Sequence, residues 1–184
     1  MNTFNRFLVL LAVLLAVLAL SACGETPAVV DGESSTTPAE TTAAPEPAAP
    51  PAVYGLTVGE SLLYPGADPA AVLPALGEPL DCLEAPSCVH DGMDRVYYYA
   101  GYEINTQPTA DGGEVIVSIY LSDDSITTDE GLRIGDSADK IVQLYGEAAP
   151  EGGVYVYTKT DRGVSVSLNI QTNGSGEVTS IFYS

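Results

Sequence analysis

Histidine is the side chain used most often as a general base, and this chain has one, His90. The surrounding segment, residues 90–94, could position such a base or a calcium ion. An enzyme needs a nucleophile beside a base, paired carboxylates in a pocket, or a metal site. A connecting turn explains this segment more simply. The sequence therefore predicts a protein that is not an enzyme, with no catalytic residues and no cofactor.

Two acidic pairs, Asp123-Asp124 and Asp129-Glu130, are candidate metal ligands. Their spacing lacks the alternating ligand pattern of an EF-hand loop, and a solvated connection is the simpler interpretation. We expect no metal site, although Asp123 and Asp124 are weak calcium candidates.

Cys23 has the most specific chemical setting in the chain. Arg6 precedes an apolar run, Phe7 to Leu20, which leads into Leu20-Ser21-Ala22-Cys23. This run of about fourteen residues is shorter than the roughly twenty that span a bilayer, so it indicates a signal peptide. Small residues before the cysteine match the bacterial lipoprotein pattern. We expect removal of residues 1–22, acylation of Cys23, and anchoring to a bacterial cell membrane outside the cytoplasm.

The composition changes sharply after Cys23. Proline, alanine, threonine, serine and glutamate dominate up to about Ala52, and the segment has almost no large apolar side chain beyond Val29 and Val30. Such a segment cannot bury enough surface to fold. We expect residues 23–52 to be a disordered tether and residues 53–184 to be one globular domain.

Cys82 and Cys88 are the thiols that remain outside the cytoplasm once Cys23 is acylated. A cysteine pair in such a compartment predicts a disulfide. A redox-active pair more often has the spacing Cys-x-x-Cys, and a zinc site needs more ligands than His90 can add.

The charge of the domain restricts its partners. Residues 53–184 contain 20 acidic and five basic residues, a formal charge near −15. Nucleic acid and anionic lipid would be repelled, so we expect neither as a partner. Cation binding, a basic partner and simple solubility are all consistent with this charge.

Two glycine-ended segments, residues 65–78 and 134–147, each predict a short helix. Asp68-Pro69 and Asp136-Ser137 have the residue types that begin helices, and glycine is the residue that most often ends them. Pro74 is expected to kink or shorten the first helix.

Three segments typical of strands follow each helix: 96–99, 102–106 and 114–121, then 154–157, 164–170 and 178–183. We predict an α+β domain of two tandem repeats, about 56–122 and 132–184, each a helix followed by three strands. Its antiparallel sheet has the helices on one face and leaves the other face open.

This pattern, with its Ile134-Gly135-Asp136 entry and Gly146-Glu147 exit, resembles the tandem-repeat fold of the β-lactamase inhibitory proteins. Each copy is similar to the outer-membrane assembly lipoproteins of the SmpA/OmlA group. The chain also resembles lipoproteins of Gram-positive anaerobes that carry no assigned activity. The first resemblance implies a binding module that uses its open sheet face.

If Val154 and Val156 face the core, Tyr155 and Tyr157 face outward, and Tyr97 and Tyr99 follow by alignment. Exposed tyrosines are typical interface anchors, although tyrosine also simply favours strands. We therefore expect a non-enzymatic lipoprotein, anchored through Cys23, that binds a protein partner or supports the envelope. The alternative is a domain that binds calcium or a small ligand.

Overall fold

The computed structural model of the protein describes residues 49–184. Nine strands run through this part of the chain: β1 (Leu56–Val58), β2 (Ser61–Leu63), β3 (Asp81–Pro86), β4 (Met93–Tyr99), β5 (Tyr102–Pro108), β6 (Glu114–Leu121), β7 (Val154–Asp161), β8 (Val164–Thr172) and β9 (Val178–Tyr183). The helices are α1 (Pro69–Leu76) and α2 (Ala138–Tyr145). The predicted signal peptide, the acylated Cys23 and most of the predicted tether lie outside the described residues.

The strands form one large antiparallel sheet and one small one. Seven strands lie in the order β3-β4-β5-β6-β9-β8-β7, and β1 pairs with β2 in a separate hairpin. Strands β6 and β9 join the two halves of the large sheet through three residue pairs, Ile119 with Tyr183, Tyr120 with Phe182, and Leu121 with Ile181. The two ends of the sheet are the edge strands β3 and β7.

The predicted α+β fold of two tandem repeats, each a helix followed by three strands, is wrong, because strands account for far more of the described chain than its two eight-residue helices. The expectation of a helix followed by three strands also missed β3 and the β1–β2 hairpin. Strand β3 contains no β-branched or aromatic residue, so its propensity for a strand is low. It is a strand because it pairs with β4 along its whole length.

The core lies on the face of the large sheet that the helices cover. Most fully buried side chains come from the central strands and α2, and they include Ile104, Ile119, Ile141, Leu168, Ile170, Ile181 and Tyr183. The β1–β2 hairpin adds Leu56 and Leu63, and the segment before α2 adds Leu132. The predicted alternation from Val164 to Ile170 is confirmed, since Val166, Leu168 and Ile170 are buried and the residues between them are not. This alternation gives the sheet one buried face and one face without buried side chains at these positions.

The helix ends follow local chemistry in part. Asp68 begins α1, and its side-chain oxygen accepts a hydrogen bond from Ala70 N at 2.9 Å, as predicted. The second N-cap is Ser137 rather than Asp136, whose carboxylate instead accepts from Arg133 N and Lys140 Nζ. Gly77 and Gly146 end the helices with φ of 79° and 91°, a backbone conformation that favours glycine.

Pro74 does not shorten α1, which has the same eight-residue length as α2. Its side chain is exposed to solvent.

The last residues of the predicted tether contact the domain. Ala52 N donates to Asp161 Oδ2 at 2.8 Å, and the Arg162 guanidinium donates to the carbonyl oxygens of Ala49 and Pro50. The chain therefore enters the domain beside the turn between β7 and β8. None of the helices within residues 49–184 has the length and apolarity needed to cross a bilayer.

Candidate functional site: the open face of the sheet

The four tyrosines predicted to face outward lie on the covered face instead. Residues paired across neighbouring strands point to the same face. Tyr97 pairs with Ile104 and Tyr99 with Tyr102, while Tyr155 pairs with Ile170 and Tyr157 with Leu168. All four of these partners belong to the buried core. The predicted orientation is therefore wrong, and Val156, which was expected to be buried, is 52% exposed.

Two of these tyrosines, Tyr99 and Tyr157, contact the ends of the helices. The Tyr157 hydroxyl donates to Gly146 O at 2.8 Å, and its ring centroid lies 5.2 Å from that of Tyr145 in α2. Tyr99 stacks on Tyr102 at 5.0 Å, and its hydroxyl lies 3.5 Å from Gly77 O. Burial raises the pKa of the Tyr97, Tyr99 and Tyr157 hydroxyls. Tyr99 and Tyr157 therefore hold the C-terminal ends of α1 and α2.

A different set of aromatic side chains lies on the open face. Tyr98, Tyr120 and Phe182, which we call the aromatic row, project from β4, β6 and β9. The Tyr120 and Phe182 rings stack with centroids 4.8 Å apart and an interplanar angle of 15°. The aromatic row is part of a longer line of paired positions that crosses all seven strands: Asp81, Tyr98, Glu103, Tyr120, Phe182, Asn169 and Val156.

Sequence reasoning missed the aromatic row, although a signal for it exists. Ile119-Tyr120 and Ile181-Phe182 are matching pairs, and both isoleucines are fully buried. In a strand the neighbour of a buried residue faces the other way. Tyr120 and Phe182 are therefore on the open face as a direct consequence of the isoleucine burial.

The open face carries carboxylates and no cationic side chain from the described residues. Asp81 and Glu103 lie in the same cross-strand line as the aromatic row. Asp94 occupies the same face of β4, four residues before Tyr98, and one of its oxygens is buried without a hydrogen-bond partner. Arg95 and Lys159 occupy strand positions that face the covered side, since they pair with the buried residues Thr106 and Val166.

The five cations of the described chain are instead engaged by carboxylates elsewhere. These ion pairs are Arg95 with Glu84 and Glu114, Arg133 and Lys140 with Asp136, Lys159 with Glu130, and Arg162 with Asp161. Lys159 Nζ also lies 3.9 Å from the centroid of the Tyr54 ring. The open face is consequently an acidic surface with an aromatic centre.

The β7–β8 end of the same face has no charged side chain. Besides the exposed Val156, it carries hydroxyl groups that pair across these strands, Thr158 with Ser167 and Thr160 with Ser165, each at 3.0 Å. The carboxylates lie on β3, β4 and β5, and the stacked rings of Tyr120 and Phe182 lie next to them on the central strands β6 and β9.

The structure does not bring Cys82 and Cys88 together, and both are free thiols. Cys82 lies within β3, which ends at Pro86, and Cys88 follows two residues later. A strand rises by about 3.3 Å per residue, whereas bridged cysteines need α-carbons within about 7 Å. The predicted disulfide would require the end of β3 to leave its pairing with β4.

The other predicted chemical residues lie apart from one another. His90 is exposed in the turn between β3 and β4. The Asp123 carboxylate accepts hydrogen bonds from the Ser125 backbone and hydroxyl, which lower its pKa, and Asp124 is exposed beside it. Within residues 49–184, no group of three or more histidine, cysteine, aspartate or glutamate side chains is arranged to hold a metal ion.

Comparison of the chain with protein-family models, with curated proteins and with solved structures finds no match. The resemblance to the β-lactamase inhibitory proteins and to the SmpA/OmlA group therefore stays a prediction.

Proposed function

We propose that this protein is a non-enzymatic lipoprotein, anchored through Cys23 on the outer side of a bacterial cell membrane, that binds a basic protein partner. The partner would dock on the open face of the seven-stranded sheet. The observation that carries this proposal is the aromatic row, placed among carboxylates on a face that has no cation from the described residues.

The aromatic row has the properties of a binding anchor. Tyr120 and Phe182 belong to β6 and β9 at the middle of the sheet, so the backbone beneath their rings is held on both sides. Large rings on such a backbone gain contact area with little loss of conformational freedom. Arginine and lysine side chains of a partner can lie on their faces.

The charges define the chemistry of the partner. Asp81, Asp94 and Glu103 would attract a basic surface, and the charge of the whole domain, near −15, adds to this attraction. An acidic partner would be repelled by the same groups. Because such attraction is screened by salt, binding should weaken as ionic strength rises.

The anchor supports an envelope location. The segment before Cys23 has the pattern that bacterial lipoprotein processing requires, and acyl chains hold a protein at a membrane surface. A partner in the same envelope would then be within reach of the domain. For the calcium alternative, the pair Asp123 and Asp124 offers too few protein ligands for a typical site.

Charge reversal on the open face tests this function. The full-length protein and its Glu103→Lys variant would be used to capture proteins from the native envelope in mild detergent. We expect the variant to retain at least about tenfold less of the partner, because a lysine beside Tyr98 and Tyr120 repels a basic surface.

Glu60→Lys is the matched control, because Glu60 is exposed in the turn between β1 and β2. This control should retain the partner, and raising the salt concentration should release the partner from both the wild-type and the control protein. Equal capture by the Glu103→Lys variant and by wild type would contradict the proposal.

A further inference from the structure

A second candidate binding site lies away from the open face, in a groove beside α1. The groove has a volume of about 840 Å³ and lies between α1, the turn that connects β3 and β4, and the β5–β6 hairpin. Cavities of this size hold small molecules in many proteins. The groove is separate from the open face. Arg95 and Glu114, which line the groove, lie opposite the buried residues Thr106 and Pro108 in the sheet, and these positions belong to the covered face.

The walls of the groove are apolar and stiff. Leu73, Met93 and Pro108 contribute apolar surface, and Pro69, Pro74 and Pro79 add three more rings of fixed shape. Proline has a fixed φ angle, so a wall built from it loses little freedom when a ligand binds.

Two walls of the groove meet in a tight contact. A Cβ atom on Gly92, whose φ is 137°, would lie 2.9 Å from Pro108 Cβ. Glycine therefore lets the β3–β4 turn approach the β5–β6 hairpin.

The polar groups of the lining are mostly acidic. Asp68, Glu78, Asp91 and Glu114 line the groove, and Arg95 is the one cation among its lining residues. The guanidinium of Arg95 is already held by Glu84 at 2.6 Å and by Glu114 at 3.0 Å. The hydrogen bonds that Arg95 donates to Glu84 and, with a smaller effect, to Glu114 raise the pKa of Arg95, so it stays charged and paired.

Two of the carboxylates have no structural task in the described chain. Asp68 caps α1, and Glu114 binds Arg95 and Thr106. Glu78 and Asp91 are exposed, and within residues 49–184 they have neither a hydrogen-bond partner nor an ion pair. An apolar groove with two unpaired carboxylates at its rim is complementary to a positive charge on an apolar body.

We propose that this groove binds a small organic cation, a primary or quaternary ammonium group attached to an apolar body. The apolar part lies against Leu73, Met93 and Pro108, and the ammonium lies near Glu78 and Asp91. An anion of the same size would be repelled by these carboxylates, and a neutral analogue would lose the charge attraction.

The full-length protein labelled with methyl-¹³C-methionine in detergent micelles provides the test. The chain has two methionines, Met1 and Met93, so the Met93 methyl signal reports directly on the groove. Hexyltrimethylammonium should shift this signal saturably, with a Kd of about 1 mM or tighter. Hexanoate and hexanol, as the anionic and neutral probes of matched length, should bind at least about fivefold more weakly.

Paired variants separate the site from general acidity. Glu78→Gln with Asp91→Asn should weaken the ammonium probe about five- to tenfold, since each exposed charge contributes modestly. Glu60→Gln with Glu147→Gln removes two exposed carboxylates elsewhere and should leave the Kd unchanged.

Three results would overturn the proposal: equal binding of hexanoate, equal weakening by both variant pairs, or a Met93 shift with a lysine-rich peptide but not with the ammonium probe. Each result leaves the open-face proposal intact, because that proposal is tested by Glu103→Lys.

Discussion

Replacing Tyr120 and Phe182 together by serine is expected to weaken partner binding at least about hundredfold while leaving the domain folded. Central aromatic anchors commonly contribute 2 kcal/mol or more each to an interface. The two rings stack on each other at 4.8 Å on the open face, so their loss removes this mutual contact and leaves the core beneath intact. Affinity for the captured partner, measured by surface plasmon resonance, would show the loss.

Val156→Ser is the matched control for this double variant. Val156 is an exposed apolar residue of the same face, 52% accessible, and it lies on the edge strand β7 outside the aromatic row. The control should bind within about threefold of the wild-type protein. Undiminished affinity in the double variant, or an equal loss in Val156→Ser, would show that the aromatic row is not the anchor.

Tyr157→Ser is expected to lower the free energy of unfolding by about 2–3 kcal/mol. The change removes a half-buried ring packed on Tyr145, and it removes the donor to Gly146 O at the end of α2. Tyr120→Ser should lower the same free energy by about 1 kcal/mol, because its ring stacks on the open face. Urea unfolding followed by circular dichroism measures both values.

The order of these two effects tests which face each tyrosine occupies. Tyr157→Phe removes the hydroxyl alone and should cost about 1 kcal/mol, so it separates the hydrogen bond from ring packing. If Tyr120→Ser lowered the free energy of unfolding more and Tyr157→Ser left it unchanged, the result would support the outward orientation of Tyr157 that the sequence predicted.

Features that depend on local chemistry were predictable. The alternation of small polar and apolar residues in β8 identified its buried face, because serine and asparagine differ strongly from valine, leucine and isoleucine. The glycines that end both helices were also identifiable, since a positive φ is costly for other residues.

The faces of β4 and β7 were not predictable from their own sequences. Strand β7 begins with valine alternating with tyrosine, and in β4 Val96 is followed by three tyrosines. Either residue type can be buried, so these segments have no polar side that fixes their orientation. The orientation is set by partners on other strands, such as Leu168 opposite Tyr157. The choice of valine as the buried residue placed all four tyrosines on the wrong face.

The fold class was wrong because tertiary pairing overrides local propensity. Strand β3 is stabilised by its pairing with β4, and it contains no β-branched or aromatic residue that would predict a strand. The acidic character of the open face could likewise not be predicted from the sequence. Total charge is visible in composition, but the placement of Arg95 and Lys159 on the covered face depends on register.

Site-specific photo-crosslinking in living cells would show which face of the domain contacts a partner. A photoreactive amino acid would replace Asn169, which pairs with Phe182 on the open face, or Gln143, which is exposed on α2. If the open face binds a basic partner, position 169 should give a crosslinked complex with one basic envelope protein, and position 143 should give none. Crosslinks from position 143 alone, or from neither position, would contradict a binding role for the open face.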